Sequence, residues 1–339
     1  MKKINIAILG IGRIGKIHLN NLTRHFPQVE VVAVADPQIE AEKFKQEFPQ
    51  IIFSTQAEEV LNLPQVDAVA ICTPTSSHAK LIDLCIQHGK HIFCEKPVDL
   101  SLSRTAELVQ KANTAGIKMM LGFNRRFDPD FLQARKSVLA GRIGKIQIVK
   151  ITSRDPGLPP LDYIKNSGGL FMDMAIHDFD MARYIMGKEV VEVYARGLVL
   201  VDPQVGEAGD IDTALTTLIF EDGSYAVIDN SRKASYGYDQ RLEIFGDLGM
   251  IQVENNQHHR NIISDAQGIH HALPLDFFMD RYTASYLNEM HYFTQALMHD
   301  TPLPATGEDG LKATIIAVAA KKSVEEKRPV KISEVTAGL

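Results

Sequence analysis

A glycine-rich hexapeptide, GIGRIG, stands near the start of the chain between an apolar run and a stretch of helical length. The run over residues 4–9 is typical of a buried strand, and the turn after it supplies Gly10, Gly12 and Gly15. Gly10 permits the tight turn, Gly12 lets the backbone approach a phosphate, and Gly15 lets helix and strand pack closely. The N-terminus of the following helix offers free N–H groups to an anion. The pattern predicts a dinucleotide site formed by Gly10, Gly12, Arg13, Ile14 and Gly15.

Short apolar runs rich in β-branched residues alternate with stretches of helical length over the first 122 residues. The runs cover residues 4–9, 29–35, 51–53, 66–72, 91–94 and 117–122. Nearly continuous apolar strands separated by helices predict a parallel sheet that is covered on both faces. We therefore expect a doubly wound α/β domain of the Rossmann type over residues 1–123.

After about residue 124 the strand runs follow one another with only tight turns between them. Residues 214–220 and 224–231 flank a Glu-Asp-Gly turn, which is a strong hairpin signal. The pattern predicts an α+β domain over residues 124–339 with a large open, mostly antiparallel sheet. We expect this open sheet to form a subunit interface, because its apolar residues supply more surface than one helical layer covers. These residues include Leu215, Leu218, Ile219, Ala226, Val227 and Ile228.

Composition and charge exclude several classes of protein. Lys and Arg number 36 against 42 Asp and Glu, a net charge of −6, so a basic surface for nucleic acid or anionic lipid is not expected. Apolar runs long enough to cross a membrane are missing, and the first residues lead directly into a strand pattern rather than a secretory signal. Three cysteines without a CxxC spacing predict neither a disulfide framework nor a zinc knuckle. These features favour a cytoplasmic protein with a small-molecule partner.

An acidic residue, Asp36, follows the second predicted strand 21 residues after Gly15. A carboxylate at this position would accept hydrogen bonds from a ribose 2′-hydroxyl and repel a 2′-phosphate. The spacing therefore predicts NAD rather than NADP as the cofactor. Asp36 and Pro37 could instead form an ordinary turn.

Two further segments stand at the carboxyl ends of predicted strands, where ligands bind in doubly wound sheets. The first follows the fourth strand and the second follows the fifth. We expect them to line the cofactor through Thr73, Pro74, Thr75, His78, Glu95 and Lys96. The alternatives are that Ser76 or Ser77 only caps the next helix and that Lys96 is simply solvated.

Asp173 and His177 are spaced i, i+4 in a predicted helix over residues 171–186, so they share one helix face. A carboxylate beside an imidazole suits a general base whose orientation the acid sets. The alternative is a structural pair at the start of a helix. A metal site is not expected here, because a third ligand at suitable spacing is missing.

The glycine motif, the segment Glu95-Lys96-Pro97 and the Asp173–His177 pair together resemble the Gfo/Idh/MocA oxidoreductase family over nearly the whole chain. The segments at 168–183 and 235–241 are similar to its inositol dehydrogenase branch. The resemblance implies oxidation of myo-inositol at the 2-position in a homotetramer, with Lys96, Asp173 and His177 as the catalytic group. It also implies substrate contacts from Asn124, Arg125, Asp155 and either Tyr236 or Tyr238.

Three alternatives stay open on the sequence. Ser153 stands where another branch of these enzymes has a histidine, so a different inositol isomer could be preferred. A pyranose such as glucose could undergo the same reaction. A sensor that binds the dinucleotide without turnover is the alternative from a different functional class.

Overall fold

The computed structural model describes residues 3–339 and divides into two compact units. The first unit contains residues 3–127, 284–312 and 339, and the second contains residues 128–283 and 313–338. The strands are β1 (Ile4–Leu9), β2 (Val29–Ala35), β3 (Ile52–Ser54), β4 (Ala68–Ile71), β5 (His91–Cys94), β6 (Met119–Leu121), β7 (Ile146–Arg154), β8 (Val190–Leu198), β9 (Thr213–Phe220), β10 (Tyr225–Ser231), β11 (Asp239–Gly246), β12 (Gly249–Val253), β13 (Ile262–Asp265), β14 (Gly268–His271) and β15 (Val330–Lys331).

Helices follow most of these strands. They are α1 (Arg13–His25), α2 (Ala41–Glu47), α3 (Ala57–Leu61), α4 (His78–Gln87), α5 (Leu102–Thr114), α6 (Pro129–Leu139), α7 (Leu161–Asn166), α8 (Ile176–Met186), α9 (Pro203–Glu207), α10 (Phe278–Arg281), α11 (Thr283–Met298), α12 (Gly307–Glu326) and α13 (Ser333–Thr336). Two short 3₁₀ turns occupy Thr75–Ser77 and Asn124–Phe127, and a π-helical segment, Phe171–Ala175, leads into α8.

The first unit contains a six-stranded sheet in the order β3-β2-β1-β4-β5-β6, in which every pairing is parallel. This order is that of a doubly wound dinucleotide-binding sheet, with the topological switch point between β1 and β4. The central strands are buried on both faces, as the apolar runs predicted; Ile6, Ala7 and Ile8 are fully buried. The α/β prediction for this part of the chain is confirmed.

Residues 284–312 belong to the first unit, whereas the sequence alone placed everything after residue 123 in the second. The physical reason is packing of α11 on the sheet. Phe293 on α11 lies 5.8 Å from Phe93 of β5, measured between ring centres, and Tyr286 lies 5.8 Å from His18 of α1. Helix α11 thus completes the core of the first unit from a distant part of the chain.

The second unit is built on a seven-stranded sheet in the order β12-β11-β7-β10-β9-β8-β15. The β7–β10 pairing is parallel and the others are antiparallel, so the prediction of a mostly antiparallel sheet is confirmed. Strands β9 and β10 form the predicted hairpin, and Gly223 at the turn adopts a φ of +83°, which favours glycine. Strand β8 and the β13–β14 hairpin lacked a clear sequence signal.

One face of this sheet is covered by helices, since α8 packs on β7 and α6 on β12. Side chains of β9 alternate accordingly: Leu218 is fully buried, whereas Leu215 is 53% exposed on the other face. Leu218, Ala226 and Ile228 are fully buried, so these three of the six apolar residues belong to the covered face of the sheet. The period of two along a strand sends alternate residues to opposite faces.

Within residues 3–339 no helix combines the length and the apolar character that a membrane span requires.

Candidate active site

The glycine turn lies at the switch point of the parallel sheet. Gly10 has a φ of +84°, and a Cβ built on it would come within 2.8 Å of Thr73 Cγ2. A Cβ on Gly15 would come within 2.0 Å of the Gly10 carbonyl oxygen, so α1 can pack here only because position 15 is glycine. A Cβ built on Gly12, in contrast, would meet nothing within 4 Å. The turn thus has the tight bend, the close packing and the open approach that the motif predicted.

The amino terminus of α1 begins beside this open space. Helix α1 starts at Arg13 after Gly12, and its first turn carries neither a capping side chain nor an acidic residue among the residues described. Unsatisfied N–H groups at a helix start attract a phosphate. Arg13 is exposed and Ile14 half-buried at this end of the helix.

Asp36 follows β2 directly and is bonded to the glycine turn. Its Oδ2 accepts a hydrogen bond of 2.8 Å from the Ile11 backbone N–H, and its Oδ1 accepts one of 2.8 Å from Gln38 N. The contact with Gln38 is the local turn that the alternative interpretation predicted. The contact with Ile11 is additional, and it holds the carboxylate against the loop that would bind the pyrophosphate.

The segment after β4 is held by its own side chains. Ser77 Oγ donates to Thr73 Oγ1 at 2.7 Å, and it also lies 2.8 Å from the Pro74 carbonyl oxygen. His78 is buried, with Nδ1 2.7 Å from the Pro97 carbonyl oxygen and Nε2 2.8 Å from that of Thr73. The imidazole therefore ties the segment after β4 to the one after β5. Thr73, Pro74 and Thr75 lie beside it at the carboxyl edge of the sheet.

Glu95 at the end of β5 belongs to a buried cluster that sequence reasoning missed. Its Oε1 lies 3.1 Å from Nε2 of His18, and the same nitrogen lies 3.6 Å from Glu289 Oε1. Ligand atoms of these three residues lie within 4.8 Å of one another. Burial raises the pKa of the Glu289 carboxyl well above its usual range, and the nearby Glu95 carboxylate adds to this effect. Gly122 leaves room for the cluster, because a Cβ there would come within 2.8 Å of Glu95 Oε2.

Lys96 follows Glu95 at the same edge and is half-buried. The turn Asn124–Phe127, after β6, is also buried and belongs to the first unit. Ser285 of α11 donates to the Asn124 carbonyl, and Asn288 donates to that of Phe127 at 3.0 Å. The turn that carries Asn124 and Arg125, predicted from the resemblance to contact substrate, is therefore anchored by α11 at its two ends.

In the second unit, Asp173 and His177 are more exposed than almost all other residues of their helical run. Every other residue from 171 to 186 is buried except Tyr184, whereas Asp173 and His177 are half-buried. The residues predicted to be core, among them Phe171, Ile176 and Phe179, are buried as expected. The π-helical turn that contains Asp173 ends where α8 begins at Ile176, and such turns are frequent at functional sites.

Both carboxylate oxygens of Asp173 accept hydrogen bonds. Tyr163 of α7 donates its hydroxyl to Oδ1 at 2.8 Å, and Arg232 donates from NH1 to Oδ2 at 3.1 Å. Arg232 directly follows β10, and its side chain is only 1% exposed. Neither partner was predicted: Tyr163 and Arg232 carry no motif, and Arg232 stands 59 residues from Asp173 in the sequence.

The remaining predicted substrate residues lie near the ends of β7 and β10. The Asp155 backbone N–H donates to the Ser231 carbonyl at 2.9 Å, and its own carbonyl accepts from Ala234 N at 2.7 Å. Tyr236 donates its hydroxyl to Asp239 at 2.6 Å and accepts from Arg154 NH1 at 3.0 Å. Burial is the main reason why the Tyr236 pKa is raised.

The two tyrosines differ in exposure. Tyr236 is 36% exposed, whereas Tyr238 is 6% exposed and packs edge-on against Tyr282, with 6.1 Å between ring centres. Ser153, at the position of the histidine in another branch, is fully buried and lies 3.2 Å from Gln240 Oε1. Of the two predicted tyrosines, Tyr236 is therefore the more exposed.

Comparison with known proteins agrees with this architecture. Residues 4–123 match the model of an oxidoreductase family with an NAD-binding Rossmann fold, and residues 131–252 match the GFO/IDH/MocA C-terminal domain. The chain is 44% identical to myo-inositol 2-dehydrogenase of Thermotoga maritima, over 98% of this chain and 99% of the relative. It is also 44% identical to inositol 2-dehydrogenase of Rhizobium meliloti, over 97% and 99%.

A solved structure has the same fold over its whole length. It is scyllo-inositol dehydrogenase from Lactobacillus casei with bound cofactor NAD(H) and scyllo-inositol, with a TM-score of 0.90 and 30% identity over 98% of this chain and 100% of the other. The parallel sheet, the glycine turn and the two matched domains lead to one assignment. The chain belongs to the Gfo/Idh/MocA family of NAD-dependent oxidoreductases.

Proposed function

We propose that this protein oxidises myo-inositol at the 2-position, with NAD as the hydride acceptor. The observation that carries the proposal is the pair Asp173 and His177, which keep a half-buried position in a run whose other members are almost all buried. Two relatives at 44% identity that are named inositol 2-dehydrogenases support the choice of substrate.

The proposed chemistry assigns a separate task to each of three residues. Oxidation of a secondary alcohol needs a base for the hydroxyl proton, and neutral His177 takes it. Asp173 stabilises the positive imidazolium that forms. Lys96 donates a hydrogen bond to the reacting oxygen and so stabilises negative charge that develops there. Bound NAD supplies the acceptor for the hydride that leaves the same carbon.

The first unit fits the cofactor that this reaction needs. Open space at Gly12, the uncapped start of α1 and the Asp36 carboxylate offer a diphosphate and a ribose diol their usual partners. Thr73, Pro74 and Thr75, with Glu95, lie at the same sheet edge and are proposed to line the cofactor.

A polyol substrate requires polar partners for several hydroxyls. We assign this task to Asn124, Arg125, Asp155 and Tyr236, while Tyr238 packs against Tyr282. A site built to bond each hydroxyl discriminates strongly against a substrate that lacks one, because buried polar groups then stay unpaired.

Initial rates with myo-, scyllo- and D-chiro-inositol and with glucose, each with NAD and with NADP, test the proposal. We expect the highest kcat/KM for myo-inositol with NAD. A higher value for another isomer or for glucose would keep the reaction class and reject the substrate. Absence of turnover with all four, from protein that binds NAD, would favour the sensor alternative.

We also propose a homo-oligomer, with a tetramer expected from the resemblance, and a cytoplasmic location. The open sheet face carries large apolar side chains together with ion pairs such as Lys150–Glu243 at 2.9 Å, which suits an interface between copies. The exposed apolar residues there include Tyr194, Leu215, Tyr225, Phe245 and Met250. Three free cysteines support a reducing compartment.

A further inference from the structure

We propose that Arg232 and Tyr163 are positioning residues that hold Asp173 in the orientation it needs beside the catalytic base. This inference rests on the proposed function, because it assumes that Asp173 acts on His177 during turnover. It adds two residues that neither the motifs nor the resemblance assigned.

The first step of the argument is that the two donors come from different elements. Tyr163 approaches from α7 and bonds Oδ1, while Arg232 approaches from the end of β10 and bonds Oδ2. Two donors on separate oxygens leave the carboxylate little rotational freedom. A charge-assisted bond from arginine is also stronger than one between neutral groups.

Arg232 is itself fixed by the sheet and by a second acid. Its backbone N–H donates to the Asp212 carbonyl at 2.8 Å, and its NH2 lies 3.4 Å from Asp210 Oδ2. Asp210 Oδ1 in turn accepts from the Leu170 N–H at 3.0 Å, directly before the π-helical turn. One buried guanidinium thus links the carboxylate of Asp173 to the start of the helical run that carries it.

Gly169 makes this link possible. Its φ is +82°, and a Cβ built on it would come within 2.7 Å of Asp210 Oδ1. A second contact also joins this part of the chain to the helical run. Asn230, which lies on β10 two residues before Arg232, donates to Asp178 Oδ2 at 2.8 Å. The end of β10 therefore holds the helical run at two acids.

The net charge of Arg232, Asp173 and Asp210 together favours the proposed reaction. Arg232 carries one positive charge between two carboxylates, which leaves excess negative charge around it. His177 stands four residues beyond Asp173 in the same run. Excess negative charge stabilises an imidazolium that forms by taking the substrate proton.

Four variants test the proposal: Tyr163→Phe, Arg232→Lys, Asp173→Asn and the double variant Tyr163→Phe/Asp173→Asn. We expect Tyr163→Phe to lower kcat about 3- to 10-fold, as for loss of one hydrogen bond. Arg232→Lys keeps the charge but loses the planar fork, and we expect a loss of about 10- to 100-fold. The KM for NAD should stay within about 2-fold in both, because that ligand belongs to the first unit.

Matched controls separate positioning from general structure. Tyr292→Phe makes the same change at another exposed tyrosine, on α11, and Arg281→Lys alters another buried arginine–carboxylate pair, that with Asp128. Thermal melting and titration of active sites report folded protein for each variant. We expect both controls to keep wild-type kcat per folded site.

The double variant gives the decisive result. If Tyr163 acts through Asp173, its replacement in the Asp173→Asn background should change kcat less than 2-fold. Equal losses in both backgrounds, or wild-type kcat in both Tyr163→Phe and Arg232→Lys, would overturn the positioning roles and leave the proposed function standing. Wild-type kcat in Asp173→Asn would reject the catalytic role of Asp173 and the positioning roles together.

Discussion

The backbone N–H of Ile11 donates a hydrogen bond of 2.8 Å to Oδ2 of Asp36, across 25 residues of sequence. This contact joins the acid after β2 to the glycine turn after β1. Each carboxylate oxygen retains a further lone pair, so the group can still accept hydrogen bonds from a ribose diol. In the proposed site, its negative charge would repel the 2′-phosphate of NADP.

We expect Asp36→Ala to erode the preference for NAD. The variant loses hydrogen bonds to the ribose and also loses the repulsion of a 2′-phosphate, so kcat/KM should fall with NAD and rise with NADP. Measurement of both values checks this. A ratio that stays at the wild-type value would mean that Asp36 serves only the turn.

We expect His177→Ala to lower kcat by about 10²- to 10⁴-fold, which is the usual contribution of a positioned acid–base group. Affinity for NAD should stay nearly unchanged. Wild-type oxidation should slow at low pH, because a protonated imidazole cannot accept the substrate proton. Asp173→Asn should cost less than His177→Ala.

A structural role for His177 makes a different prediction for the same variant. In that case the melting temperature falls, and turnover falls only in proportion to the folded protein that is lost. Measurement of kcat per folded active site alongside thermal melting separates the two. A less stable His177→Ala enzyme with near wild-type kcat per site would reject the catalytic assignment.

We expect the free energy of unfolding of Glu289→Gln to increase relative to that of the wild type as the pH rises. The folded-state pKa of Glu289 is raised by burial, so above the unfolded value of about 4.3 the unfolded chain releases a proton that the folded chain keeps. Wild-type stability therefore falls with pH relative to the variant, by at most about 1.4 kcal/mol per pH unit. Thermal melting at pH 5 and pH 8 measures the difference, with the exposed Glu42→Gln as control.

An equal difference in melting temperature between Glu289→Gln and wild type at both pH values would contradict this prediction. It would mean that Glu289 holds the same number of protons in both states across that range. The amide of glutamine resembles the protonated acid in shape, so the variant should fold.

We expect Leu215→Glu to weaken association of subunits. Leu215 is 53% exposed on the open face of the second sheet, and a charge there would be buried in an interface without a partner. Leu139→Glu, at a residue that is 68% exposed on α6, is the matched control. Sedimentation or light scattering gives the mass; a wild-type mass near 37.7 kDa at working concentrations would contradict the oligomer.

Much of the first unit followed from local sequence. Strand β1 is marked by a nearly continuous apolar run, and the glycine turn after it by residues that backbone geometry and close packing demand. Such signals are local because a strand's burial or a turn's positive φ constrains the residue at that position. The Asp173–His177 pair in the second unit was also a local signal, because its i, i+4 spacing can be read directly from the sequence.

The sequence could not reveal which distant residues complete these sites. Arg232 lies 59 residues from Asp173, and Glu289 is still further from His18, so no periodicity connects them. The contacts exist because β10 ends beside the helical run and because α11 packs on the first sheet. The sequence by itself determined the strands of the first sheet, the glycine turn, the β9–β10 hairpin and the reactive residue types. The tertiary structure alone decided their partners, since long-range packing brings together side chains that carry no local signal.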